Sequence, residues 1–361
     1  MSITPGGETL ARDASLPEDR LAEHAGAGTE ESEAPHGSTL PRYVAVKAGG
    51  ALISLAMVVV LGFFSFRILP GADPAINMTR GRRVSAEEVE RLRRQFGLDQ
   101  PLVVQFLRYV QDLFTGDLGY SYVYNQPVTG LIADKVGPTL LLTGSAALIS
   151  VALGLWLGQL AAWRRGSWFD KIQTGIALTF WSVPTFWLGL ILLLVFGGML
   201  HLFPAGGMTT AGTDYTGFGY LVDVLRHLAL PVITMVAVVY AQYLMVMRAS
   251  VLEEMSGDYL TTARAKGLPE DKVRTRHAVP NALLPTVTLI FLHAGGLIGG
   301  AVTVETVFSW PGLGFLTFQG LNAPDLPLLQ GTFVVFSSIV IGMNFVADLI
   351  YRVLDPRLKA A

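Results

Sequence analysis

The chain has 361 residues, 51% of them hydrophobic and 15% charged, with a formal net charge of −2 and a mean hydropathy of +0.48. Soluble domains carry about 25% charged residues, so the composition points to a membrane protein with several spans, and the small net charge does not speak for nucleic acid as a partner. There are no cysteines, which excludes disulfides, thiolate metal sites and cysteine nucleophiles.

Residues 1–40 are rich in Gly, Ala, Ser, Glu and Pro, with eight acids (Glu8, Asp13, Glu18, Asp19, Glu23, Glu30, Glu31, Glu33) against Arg12 and Arg20. Such a segment has too little apolar surface to offset its ordering entropy. It reads as a disordered acidic tail, and it lacks the basic start and short apolar core of a signal peptide. Six apolar runs then have the roughly 20-residue length that a helix needs to cross a bilayer: 44–69, 138–162, 172–200, 228–247, 283–304 and 331–354. The chain therefore divides into the tail, a first transmembrane helix within 41–69, an outer segment 70–137, and a core of five helices in 138–361 that includes a polar loop at 256–285.

Lys and Arg in the short loops orient the spans. Arg164, Arg165 and Lys171 follow the second run, Arg248, Arg264, Lys266, Lys272, Arg274 and Arg276 follow the fourth, and Arg357 and Lys359 follow the sixth, whereas 201–223 and 309–330 have neither residue type. This alternation places both termini and 256–285 in the cytoplasm. The outer segment carries arginines but is long, and long loops translocate largely regardless of charge. Within it, "SAEEVERLRRQFG" has Ser85 and Glu88 in capping-box spacing and ends at Gly97, and "PLVVQFLRYVQDLF" opens on Pro101. Both predict short amphipathic helices lying on the outer membrane face.

The stretch "DYLTTARAKGLPEDKVRTRHAVPNALLP", 258–285, is the most charged part of the apolar region. Asp258 is placed to cap a helix through "YLTTARAK", Gly267 to end it in a left-handed conformation, and Pro269 to start a second helix whose acids come early and bases late. Pro280 and Pro285 mark the entry to the fifth span. The expected product is a helix–turn–helix parallel to the membrane, with Arg264, Lys266, Lys272, Arg274 and Arg276 around a small face at Ala263 and Ala265. A topology-setting basic loop, a surface for anionic lipid and a helix that inserts into a partner's groove are all compatible with those features.

Beyond this loop, Gly295, Gly296, Gly299 and Gly300 form overlapping GxxxG spacings in the fifth run, which permit close helix approach. Ionisable residues at membrane depth are functional candidates. Glu305 leads "TVFSWPGLG", where Phe308, Trp310 and Pro311 break the helix on the outer side; the group is a candidate gate or docking surface. Asp348 stands four residues before Arg352 in the sixth run, the spacing of a structural ion pair. His293 reads as a packing residue. A Walker A loop needs Lys followed by Ser or Thr. The six lysines precede Ala48, Val136, Ile172, Gly267, Val273 and Ala360, so any ATP must be used by another chain. The histidines 24, 36, 201, 227, 277 and 293 lack HExxH or other ligand spacing, so neither a metal site, a bound cofactor nor a catalytic centre is expected.

"TTARAKG" followed by "VPNALLP" resembles the EAA loop of ABC-importer permeases. Thr261 and Thr262 stand where the leading Glu-Ala is usual; Ala263 and Gly267 are retained. "FGLDQPL" (96–102), "GDLGYS" (116–121), "RRGSWFD" (164–170), "VPTFWLGL" (183–190), "VETVFSWPGLG" (304–314) and "LDPRLK" (354–359) are similar to the dipeptide, oligopeptide and nickel branch of that family. The resemblance covers most of 44–359 and omits the acidic tail. It implies an all-α polytopic membrane protein with six transmembrane helices in the type I importer fold, with coupling helices in the cytoplasm. It also implies half of a translocation pathway, working with a second permease subunit, two ATP-binding cassette ATPases and an extracytoplasmic solute-binding protein. Carried residue by residue, the ATPase-coupling set is Asp258, Tyr259, Thr262, Ala263, Arg264, Ala265, Lys266, Gly267, Leu268 and Pro280. The cargo implied is peptide, with nickel chelates or oligosaccharides as alternatives. A secondary transporter driven by an ion gradient ranks below, because no internal repeat and few midplane acids are present.

Overall fold

The computed structural model describes residues 40–68, 85–95, 97, 99–323 and 325–354. Residues 1–39 of the acidic tail and the C-terminal Arg357 and Lys359 lie outside the described residues. The elements are helical apart from one small hairpin. Helix α1 is Leu40–Ile68, α2 Ala86–Gln95 and α3 Leu102–Thr115. The hairpin strands β1 (Tyr120–Ser121) and β2 (Gln126–Pro127) pair antiparallel, Tyr120 opposite Pro127. Then come α4 (Val128–Trp163), α5 (Trp168–Ser182), and α6 (Thr185–Leu192), which runs on into a π-helical stretch, Leu193–Met199. Helix α7 is Phe218–Glu254, α8 Asp258–Ala265, α9 Glu270–Val273, α10 Val279–Val307, α11 Leu313–Asn322 and α12 Leu326–Leu354.

Among the described residues, α1, α4, α7 and α12 are long and apolar enough to cross a membrane, and α5 with α6 makes a fifth candidate if the bent pair is one span. Helix α10, 29 residues long, occupies the position of the fifth expected run; several of its side chains, His293 and Gly295 among them, lie outside the described residues. The two short helices expected between the first and second runs are present as α2 and α3. Gly97 and Gly116 both carry left-handed backbone after them, at φ +61° and +78°.

Two expectations fail for a physical reason. The third run is broken rather than straight: α5 and α6 meet at an angle of 102°. The residue before a proline is pushed out of the helical region, and Val183, ahead of Pro184, is extended at φ −86°, ψ 131°. The second run starts well before Pro138, which lies inside α4. Proline removes one helical donor, but Val128, Leu131 and Ile132 on its N-terminal side are buried against Leu313, Leu316 and Leu328 of α11 and α12. That packing keeps the extra turns helical.

The main core lies between α4, α7 and α10, with Leu142, Ala146, Tyr240, Leu244, Val304, Phe308 and Trp310 at its centre. Helices α4 and α7 run parallel and touch backbone to backbone at Gly154 and Gly158. A Cβ on Gly158 would stand 2.6 Å from the Leu244 carbonyl oxygen and 2.9 Å from the Met247 Cβ. Gly158→Ala is therefore expected to destabilise the protein by about 1–3 kcal/mol through overpacking. Gly144→Ala in the same helix, with nothing within 4 Å of the added carbon, should be neutral or slightly stabilising. Thermal unfolding of the two purified variants checks the opposite signs. By contrast Gly296, Gly299 and Gly300 of α10 have nothing within 4 Å of an added Cβ among the described residues.

Helix α1 is held on α12 at both ends. Lys47 Nζ meets Asp348 Oδ2 at 2.9 Å, the Tyr43 hydroxyl donates to the Asp348 carbonyl at 3.3 Å, and Phe66 meets the Phe333 ring edge-on at 6.1 Å. Asp348 thus has a cross-helix cation as partner. The Arg352 guanidinium, at the spacing expected of its ion-pair partner, lies 4.3 Å over the Tyr43 ring.

Candidate functional site

Two clusters hold the residues singled out in the sequence, one at each end of α10. The first is the loop between α7 and α10. Helix α8 starts after Gly257, which occupies the cap position, so Asp258 is the first helical residue and makes no side-chain cap. Its carboxylate still sits in the first turn, where the helix dipole favours negative charge. The helix ends as expected: Gly267 is left-handed at φ +77° and its N–H donates to the Arg264 carbonyl at 2.9 Å. Pro269 then stands at the cap of α9.

The second helix of the pair departs from the expectation. Helix α9 has only four residues, and the chain passes through a π-helical stretch, Arg274–Ala278, directly into α10 with no loop. Pro280 marks no break; it occupies the first turn of α10, where a missing N–H costs no hydrogen bond of that helix. The missing donor also falls where the preceding turn would seek one, which accounts for the widened π geometry there.

Helix α8 is seated by its apolar side. Leu260 and Ala263 are buried with Val273 and Ala278, against half-buried Trp163 and Leu268. Burying a Leu-sized side chain stabilises by about 1.5–3 kcal/mol, so the loop is a packed unit and not a floating tether. Arg264 closes the turn: its Nε donates to Glu270 Oε1 at 2.8 Å and its guanidinium lies 5.9 Å over the Trp163 ring. Arg274 pairs with Asp271. The Tyr259 hydroxyl donates to the Glu254 carboxylate, and partial burial, reinforced by that neighbouring acid, pushes its pKa up. Asp258, Tyr259, Thr262, Arg264, Ala265, Lys266 and Gly267 are all exposed together, Ala263 is buried, Leu268 is half-buried, and Pro280 is exposed on the next helix. Among the described residues no atom of a neighbour lies within 4 Å of a Cβ placed on Gly267.

The second cluster is at the other end of α10. Glu305 is completely buried. Its carboxyl group accepts from the Thr139 hydroxyl at 2.7 Å, the Gly314 N–H at 2.7 Å and the Phe315 N–H at 3.1 Å. Thr139 in turn accepts from the Leu313 N–H at 2.8 Å. The side chain of Glu305 therefore caps α11 from outside that helix, satisfying first-turn donors that would otherwise be orphaned. Trp310, also fully buried, donates from Nε1 to the Pro138 carbonyl at 2.9 Å. A Cβ on Gly312 would collide with the Glu305 carboxyl group, which explains the glycine in "WPGLG". Phe308 is buried too, and its carbonyl accepts from the Gly207 N–H at 3.0 Å; Pro311 is half-buried. The cluster joins α10, α11, the proline turn of α4 and the segment after α6. Glu305, Phe308 and Trp310 are interior, so they offer no side-chain surface for a docking partner.

Two polar links escaped sequence reasoning. Asp170, near the start of α5, takes a two-pronged bond from Arg248 of α7, Nε to Oδ1 at 2.7 Å and Nη2 to Oδ2 at 2.8 Å. Asp325 is buried before α12 and accepts from the Ser121 hydroxyl at 2.5 Å and the Val123 N–H at 3.1 Å, which ties the hairpin to the α12 entry. The partners are 78 and more than 200 positions apart, beyond any local spacing rule. A lone acid in an apolar setting was the available signal.

The family described as "Binding-protein-dependent transport system inner membrane component" matches residues 150–360, and its companion N-terminal family matches residues 40–143. A candidate D,D-dipeptide transport system permease protein, DdpB, of Escherichia coli (strain K12) is 40% identical over 325 residues, 86% of this chain and 95% of the relative. A candidate peptide permease protein of Brucella suis biovar 1 (strain 1330) is 39% identical over 312 residues, 85% of this chain and 97% of the relative. The dipeptide transport system permease protein DppB of Escherichia coli (strain K12) is 34% identical over 335 residues, 88% of this chain and 98% of the relative.

Proposed function

The chain belongs to the family of binding-protein-dependent transport system inner membrane components, and from that premise we infer that it is the membrane permease subunit of an ABC importer that takes up peptides. It is a multi-pass protein of the inner membrane and contributes a pathway, not a catalytic centre. Its cargo is peptide, as the names of its relatives indicate for them. A solute-binding protein delivers the peptide, and ATP is hydrolysed on separate ATPase subunits.

The observation that carries this reading is the packed loop at α8. An importer subunit with no Walker A of its own needs a rigid surface on which an ATPase can pull. Helix α8 offers one: its apolar side is anchored on Trp163, Val273 and Ala278, and its free side groups Tyr259, Thr262, Arg264, Ala265, Lys266 and Gly267. We assign these residues, with Asp258, Ala263, Leu268 and Pro280, to ATPase coupling. The full chain then has six spans in the type I arrangement, with α5–α6 and α10 as the third and fifth and both termini in the cytoplasm. A second, non-identical permease subunit completes the pathway. Glu305, Phe308, Trp310 and Pro311 at the other end of α10 form the outer gate, acting as an internal clamp that holds α11 against α4. ATP-driven movement of α8 reaches this clamp along α10, a two-state change of the hinge or rigid-body kind.

The test is uptake by the reconstituted assembly. Permease, ATPases and binding protein in vesicles should accumulate labelled dipeptide when ATP is supplied to the ATPase side. Uptake that is abolished by an ionophore and indifferent to ATP would overturn the reading in favour of an ion-coupled carrier.

A further inference from the structure

We propose that the turn between α4 and α5, together with the first turns of α5, is a binding surface for anionic phospholipid headgroups. Arg164, Arg165 and Lys171 are exposed there, and among the described residues no carboxylate pairs with any of them. The one acid in the turn, Asp170, is buried and has both oxygens engaged by Arg248. Among the described residues the positive charge of the turn is thus left uncompensated.

The same surface carries an apolar stripe. Trp168 is 80% exposed, Ile172 47% and Ile176 42%, at i, i+4 and i+8 on one face of α5. Its opposite face, at Asp170 and Ala177, is buried. The turn is stiff: Gly166 is left-handed at φ +80°, the Ser167 hydroxyl caps α5 by accepting the Asp170 N–H, and the Arg164 guanidinium lies 5.5 Å over the Phe169 ring. A tryptophan at the foot of an apolar helix face, collared by exposed cations, matches the layering of a bilayer boundary: acyl chains beside the isoleucines, the indole at headgroup level, phosphates against the guanidinium and ammonium groups. The stripe continues along a helix within a bent membrane-span candidate, so a bilayer covers it more completely than a soluble partner would. This surface is separate from α8, whose apolar side is already buried on Trp163, and the inference requires only that the chain is a membrane protein.

The experiment uses the full-length chain with its partner subunits in nanodiscs of phosphatidylcholine containing a minor fraction of phosphatidylglycerol, one or the other lipid brominated. Quenching attributable to Trp168 is the difference between wild type and Trp168→Phe. It should be stronger for brominated phosphatidylglycerol, and each of Arg164→Gln, Arg165→Gln and Lys171→Gln should weaken that preference about three- to fivefold. Equal quenching by the two lipids overturns the proposal in favour of unselective lipid contact. Absence of Trp168 quenching overturns it in favour of a protein cover. Loss of the ATPase subunits from Arg164→Gln and Arg165→Gln variants in detergent overturns it in favour of an ATPase contact.

Discussion

Replacing Gly267 with valine is expected to strip the ATPase subunits from the purified assembly while leaving the permease inserted in the membrane. The residue is left-handed at φ +77°, a conformation that costs an L-residue about 1–2 kcal/mol and a β-branched one more. That strain corresponds to roughly a five- to thirtyfold loss in association if the turn must keep its shape for docking. Gly267→Asn separates shape from contact. Asparagine tolerates the left-handed region, yet its side chain enters the space around Gly267 that none of the described residues fills. If an ATPase seats there, the asparagine variant also loses it. Gly116→Asn is the matched control, since Gly116 is left-handed at φ +78° with nothing nearby and lies in the segment between α1 and α4. ATPase retained to the wild-type level by both Gly267 variants in a pull-down would remove the coupling role from this turn.

Glu305→Ala should be the most damaging single substitution at the opposite end. It leaves the Thr139 hydroxyl and the Gly314 and Phe315 N–H groups without their acceptor, in a site with no access to solvent. Each buried group left unsatisfied costs about 1–3 kcal/mol; with partial relaxation a total of at least about 3 kcal/mol is expected, visible as a lowered unfolding midpoint. Glu305→Gln is milder, because the carboxamide keeps one acceptor but turns an N–H towards a donor. It is the informative variant for gating. It should assemble, take up less peptide, and hydrolyse ATP without waiting for the binding protein, because a loosened clamp no longer holds α11 and α4 together. Wild-type uptake and wild-type control of hydrolysis in that variant would reduce Glu305 to a purely structural residue.

What the sequence revealed and what it hid divide along chain distance. The Gly267 turn and the Pro269 start were legible because glycine and proline act on their own backbone. The Val183–Pro184 break followed from the same rule, yet it was averaged into an apolar run of spanning length, where hydropathy conceals geometry. The small-residue spacings show the limit of pattern reading. Gly154 and Gly158 of α4 press on α7, whereas Gly296, Gly299 and Gly300 of α10 meet nothing among the described residues; spacing alone does not say which face finds a partner. Glu305 was singled out as an acid at membrane depth, but its partner Thr139, 166 positions away, belongs to tertiary structure. That partnership turned an expected surface feature into an internal one.

The π-helical stretch at Arg274–Ala278 sets an azimuth. Because the chain continues from α9 into α10 without a loop, α9 and the Glu305 clamp are mounted on one screw, with α8 joined to it through the Gly267 turn, and an α-helix turns by about 100° per residue. The widened turn is the phase adjustment between its two ends. Deleting one residue there, Thr275 for example, would leave every residue of both clusters present but would pull α8 off its contact with Trp163. It would rotate the α8–α9 unit by about 100° relative to Glu305, and with it the direction in which the exposed side of α8 faces. If α8 is where an ATPase seats, the direction of its stroke is encoded separately from the surface that receives it, and a one-residue change in length alters the first while sparing the second.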